Sequence, residues 1–296
     1  MAKLYIIGNG FDRHHGMATD YGQFAGYLRR TNRELRDMID DYFPTDEADF
    51  WSQFEENLAA FDADGLIDNS EHFIVPYGAE DWSDAYHHDY SWALDQVVGA
   101  LSETLVAAFA AWVRQIPFPS AAGLSSPLLA IDPGAHFINF NYTATLQSLY
   151  GVAADRVWHI HGSAADPAER LILGHAWRPA PAETYAARLD PERADTRVQE
   201  GAEIIDRYFS ASFKPTAQII ADSEARFQSL SDVDDIRVLG HSLSDVDLPY
   251  LQKVAASAHP AARWRISYHH DPADAQYQFA KIDDLAKATF LPIEAV

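Results

Sequence analysis

Four short stretches of this 296-residue chain gather side chains that could do chemistry. The first, Gly8-Asn9-Gly10-Phe11-Asp12, follows the apolar run Leu4-Tyr5-Ile6-Ile7. Its two glycines permit the backbone geometry and close approach that a phosphate-binding turn requires. A full G-x-G-x-x-G fingerprint needs glycine at position 13, which is Arg13, and the next glycine is Gly16. A ligand-binding turn and a structural strand-to-helix turn therefore both fit. The second stretch, His136-Phe137-Ile138-Asn139-Phe140-Asn141-Tyr142-Thr143, carries polar side chains to the C-terminal end of a strand. Open parallel sheets bind ligands there, although Asn141 could equally cap the next helix.

In the third stretch, Trp158-His159-Ile160-His161-Gly162, strand alternation puts both histidines on one face, and either could serve as a general base near neutral pH. No carboxylate follows at a metal-site spacing, so no metal is expected, and a satisfied buried pair is the plain alternative. The fourth is Gly240-His241-Ser242-Leu243-Ser244-Asp245-Val246-Asp247. Its hydroxyls and carboxylates suit ribose hydroxyls, and they also suit a helix cap with Ser244 at the N-cap and Asp247 three residues on.

Strands are expected at 3–7, 136–140, 156–161, 171–173, 235–239, 263–269 and 289–293, several of them continuous apolar runs of the kind buried on both faces of a parallel sheet. Apolar residues at Tyr90, Leu94, Val97, Val98, Leu101, Leu105, Phe109, Trp112 and Val113 keep helical spacing and predict one long amphipathic helix. Further helices are expected near Thr19, after Thr143, at Ser244 or Asp247, and at Asp271-Pro272. The architecture that results is α/β, a doubly wound, mostly parallel Rossmann-like sheet in a single domain spanning 1–296. A helical insertion of approximately 32–118 is rich in acids and aromatics, among them Trp51, Trp82 and Trp92.

Lys and Arg number 22 against 44 Asp and Glu, a formal charge of −22 that opposes nucleic-acid binding and adsorption to anionic membranes. Cysteine is absent, which removes disulfides, thiol nucleophiles and Cys-ligated metals, and fits the cytoplasm. The strongly apolar stretch 105–113 is shorter than the roughly 20 residues a bilayer requires, and the run at 4–7 is too short for a signal peptide. A soluble, unprocessed chain is expected.

Taken in order, Ile7-Gly8-Asn9-Gly10-Phe11-Asp12, Asn139-Phe140-Asn141-Tyr142-Thr143, His159-Ile160-His161-Gly162 and Gly240-His241-Ser242-Leu243-Ser244-Asp245 resemble the AbiH family of bacterial abortive-infection proteins. Gly16-Met17-Ala18-Thr19-Asp20-Tyr21 and Trp51-Ser52-Gln53-Phe54-Glu55-Glu56 add to the resemblance, which spans nearly the whole chain. More distantly, the motif order is similar to that of sirtuin-like NAD-binding proteins and defence NADases. That similarity implies a sirtuin-like fold with NAD as substrate or ligand. It implies Gly8 and Gly10 along the phosphates, Asn141 beside the nicotinamide ribose and holding the acceptor water, His161 as the base, and Gly240 to Ser242 facing the adenosine. Asn9, Phe11, Asp12, Thr143 and Asp245 join the expected binding set. Two departures bear on activity: Thr143 stands where the sirtuin-like pattern has Asp, and the sirtuin zinc cysteines are missing, which argues against lysine deacylation.

The resemblance implies phage defence by NADase-like cleavage of an N-glycosidic bond. A nucleotide-binding sensor without turnover is the second reading, and a metal-dependent nuclease or phosphoesterase using His159, His161 and His175 is the third. Expected partners are a nucleotide, a phage-derived trigger and further copies of the chain, with neither membrane nor nucleic acid.

Overall fold

A computed structural model describes residues 2–80, 83–120 and 123–296. Trp82 lies outside the described residues. The contacts group the chain into two compact units. One, the sheet unit, comprises the chain up to Gln23 with Ala110–Ile172 and Pro215–Val296; the other, the helical unit, comprises Phe24–Phe109 and Leu173–Lys214.

The sheet unit is built on six parallel strands, β1 (Ala2–Ile7), β2 (His136–Asn139), β3 (Val157–His159), β4 (Val233–Leu239), β5 (Arg263–Tyr268) and β6 (Ala288–Pro292), in the order β3-β2-β1-β4-β5-β6. β1 is central, with Ile7 level with Asn139 on one side and Leu239 on the other. Its unbroken apolar run follows from burial on both faces. Leu4 and Ile6 join a core with Ile138, Val238, Trp264 and Ile266, whereas Tyr5 and Ile7 join another with Phe11, Phe137, Leu146 and Leu239. The order reverses between β1 and β4, which makes the sheet doubly wound.

Two strand expectations need correction. Residues 171–173 form no strand, and the expected strand 156–161 stops at His159, so strand alternation does not extend to His161. Helices follow the strand ends at Asn9–His14, Thr145–Tyr150, Leu248–Ser257 and Pro272–Phe279, the last capped by Asp271, which accepts from the Ala273 amide at 2.9 Å.

Within the helical unit, Asn32 caps Arg33–Tyr42, Asp62 caps Ala63–Ser70 and Asp195 caps Thr196–Ala211. Phe43, Phe50, Phe54, Phe61, Tyr208 and Phe209 form its aromatic core. Gly201 has no room for a side chain against Tyr90 and Leu94, which lets the helices of those residues cross closely. The expected long helix is continuous over Asp89–Val113, with one wider turn at Ala100–Thr104. At 25 residues it is, by length and composition, long and apolar enough to cross a bilayer, which revises the reading of 105–113 alone. Its stripe of Tyr90, Leu94, Val98, Leu101, Leu105 and Phe109 is buried, as in a core helix.

Candidate functional site

The first, second and fourth motifs sit at the C-terminal ends of β1, β2 and β4, around the position where strand order reverses. Doubly wound sheets leave their ligand crevice there. In the glycine turn, however, the amides of Gly8, Gly10 and Phe11 are already engaged. Gly8 N donates to Leu239 O at 3.0 Å, Gly10 N to Gly240 O at 2.7 Å, and Phe11 N to Gly8 O at 2.9 Å. A Cβ on Gly10 would lie 2.9 Å from Gly240 Cα, and one on Gly240 would collide with the backbone of Gly10 and Phe11. Gly240 also holds a φ of 66°, in the region that favours glycine. These glycines let the turn after β1 pack directly on the turn after β4. Asn9 Nδ2 donates to Thr19 O at 2.9 Å, and Phe11 is buried in the core beside His15 and Tyr150.

Asp12, in the short helix after Gly8, is 1% exposed. Its Oδ2 accepts the Thr143 hydroxyl, which lies 3.0 Å from the Thr145 hydroxyl, while Oδ1 has no hydrogen-bond partner among the described residues. Burial pushes the carboxyl up from 3.8 to about 6, against the opposing pull of hydrogen bonding from Thr143, Thr145 and Asn141. Thr143 thus meets a carboxylate supplied by another element.

Asn141 ties the turns together. Its Nδ2 donates to Gly8 O at 2.9 Å, its amide donates to Asn139 Oδ1 at 3.0 Å, and its carbonyl lies 3.0 Å from His159 Nδ1. His159 Nε2 meets Gln147 at 3.1 Å, and burial lowers the pKa of this ring.

His161, 2% exposed, points its Nε2 at Asp247 Oδ1, 3.6 Å away, and the other Asp247 oxygen faces His241 Nε2 at 3.5 Å. The Leu243 amide donates to His241 Nδ1 at 2.9 Å. A neutral His241 therefore carries its proton on Nε2, toward Asp247. Phe140, Tyr142 and Tyr250 set their rings around His161. A carboxylate between two imidazoles holds their orientation and stabilises whichever takes a proton. The structure thus assembles His161, His241 and Asp247, while the Asn141 side chain turns to Gly8.

Asp247 and His241 were expected only in the nucleotide-facing turn, with no part in catalysis. Asp247 is itself the residue at the N-cap of Leu248–Ser257 and makes no side-chain cap bond, which corrects the capping assignment and leaves its carboxylate facing the histidines. Their spacing within one turn was the available signal, masked by its fit to a cap pattern. Ser242 is exposed, and Asp245, 62% exposed, pairs with Lys281 at 2.6 Å. His175, in the helical unit, faces the Ser212 hydroxyl at 3.0 Å. Among the described residues, no group of three or more His, Asp or Glu side chains is arranged to hold a metal ion.

Over residues 4–268 the sequence matches the profile of the family described as bacteriophage abortive infection AbiH. No curated protein and no solved structure matches the chain.

Proposed function

We propose, from the premise that this chain belongs to the bacteriophage abortive infection AbiH family, that it acts in phage defence as an NADase-like hydrolase. NAD or a related nucleotide is taken at the C-terminal edge of the sheet and its N-glycosidic bond is cleaved. One observation carries the catalytic part: His161 is held beside the Asp247 carboxylate, which His241 orients from its other side. With Asp247 beside its Nε2, His161 is the general base of this reading. Water adds to the anomeric carbon of the ribose as the bond to the nicotinamide nitrogen breaks. The bonding pair stays on the ring nitrogen, neutral nicotinamide leaves, and the water proton passes to His161. Asn141, tied to Gly8, is the group that would position that water.

The test is nicotinamide release from NAD by purified protein, alone and with phage lysate. A general base contributes roughly 10²–10⁴-fold, so His161→Ala and Asp247→Asn are expected to lose about that much while melting normally. Binding without release in either condition overturns the catalytic assignment.

A second reading, a nucleotide sensor without turnover, is favoured by the engagement of the Gly8 and Gly10 amides with Leu239 and Gly240, which leaves the phosphates to be held by other groups. Absence of binding by NAD or ADP-ribose would sink both readings.

A further inference from the structure

An anion buried without a cation costs several kcal/mol unless a partner supplies the missing charge. Asp12 is such a group. It is almost wholly buried and, among the described residues, one carboxylate oxygen lacks a hydrogen-bond partner. The groups that act on it are Thr143, Thr145 and Asn141, none of them charged. From its own helix, Arg13 turns to Asp20 at 3.6 Å and His14 lies 3.7 Å from Glu294. The carboxylate is therefore an acceptor with spare capacity at the strand ends that the proposed nucleotide site occupies.

We propose that Asp12 is the cation-recognising group of this site, selecting a ligand whose base carries a delocalised positive charge, as an N-glycosidic pyridinium does. The inference rests on the nucleotide reading above and adds the charge of the substrate class. It also gives a physical reason for release. When the glycosidic bond breaks, the bonding pair returns to the ring nitrogen, the base becomes neutral, and its attraction to Asp12 ends. The two hydroxyls and the Asn141 amide hold the carboxylate in place without neutralising it.

Oxidised and reduced NAD separate this idea from simple nucleotide binding, because they differ by one positive charge on the nicotinamide ring. Calorimetric titration at 5 °C is the measurement, with chromatography afterwards to verify intact nucleotide. At pH 7.5 the wild-type chain is expected to bind the oxidised form at least about tenfold more tightly, the scale of an opposite charge within a few ångströms. The preference should shrink as pH falls through about 6, where burial places the Asp12 titration. Asp12→Asn, which can still accept from Thr143, should bind both forms alike. Equal wild-type affinities, or a preference that survives in Asp12→Asn, would overturn the assignment while leaving nucleotide binding intact. Should Asp12→Asn fail to fold, the pH series on the unaltered chain still tests the assignment, and a preference that holds constant from pH 7.5 to 5 would overturn it. If neither form binds, the nucleotide reading falls and takes this inference with it.

Discussion

Buried Lys214 meets Glu55 at 2.5 Å, Arg197 meets Asp195 at 2.7 Å and donates to Val75 O at 2.7 Å, and His175 bonds the Ser212 hydroxyl, all within the helical unit. In the sheet unit, Asp12 is as deeply buried but has no cationic partner among the described residues, and Asp247 divides its carboxylate between two histidines at 3.5–3.6 Å. The two units thus differ in how they match buried charge, carboxylate to cation for Lys214 and Arg197 but hydroxyl and amide to carboxylate for Asp12. Polar groups matched inside a core fix its geometry, whereas those left with spare charge or hydrogen-bonding capacity keep the capacity to act on a ligand. The difference points to the strand ends of the sheet unit, rather than the interior of the helical unit, as the place for chemistry.

The largest effect is expected at the buried ion pair of the helical unit. Lys214→Met strands Glu55, and breaking a buried pair typically costs about 3–5 kcal/mol, readable as a lower denaturation midpoint. Adding Glu55→Gln should recover most of the loss. A double variant no more stable than the single one would break the comparison at its helical side.

Next come two buried groups with opposite pH behaviour. Asp12 is raised from 3.8 to about 6, so the folded chain holds this proton more firmly than the unfolded one. Its ionisation removes stability as pH rises from about 4 to 6, by about 3 kcal/mol in all. Asp12→Asn should therefore gain on the wild type across that window. Burial lowers His175 from 6.5 to about 4, so the folded chain excludes that proton and stability is lost as pH falls across the same range, again by about 3 kcal/mol. His175→Gln should lack that loss. Thermal melts from pH 4 to 7 read both signs, and curves parallel to wild type would remove burial as the cause.

The smallest effect belongs to Asp245. Its exposed pair with Lys281 is worth under about 1 kcal/mol, so Asp245→Ala should leave the melting point and nucleotide affinity nearly unchanged. A large fall in affinity alone would extend the ligand site beyond the Asp12 and Asp247 clusters.

Much of the fold was legible. The run at 4–7 announced a strand buried on both faces, Asp271-Pro272 announced a helix start, and the stripe from Tyr90 to Val113 announced its helix, because these signals are local periodicities and caps. The third stretch was misread at His161 because a three-residue strand cannot be told from a six-residue one by composition. Leu171 and Leu173 are apolar for burial rather than for pairing.

The sequence by itself determined the α/β class, the family and the four motifs, since each rests on residues adjacent in the chain. Only the tertiary structure decided what the motifs touch. Asp12 and Thr143 are 131 positions apart, and His161 and Asp247 are separated by most of the second half of the chain. The glycines of the first turn are explained by the backbone of Gly240. Which polar groups are matched and which keep spare capacity depends on packing across the parallel strand ends, and no local pattern encodes those distances.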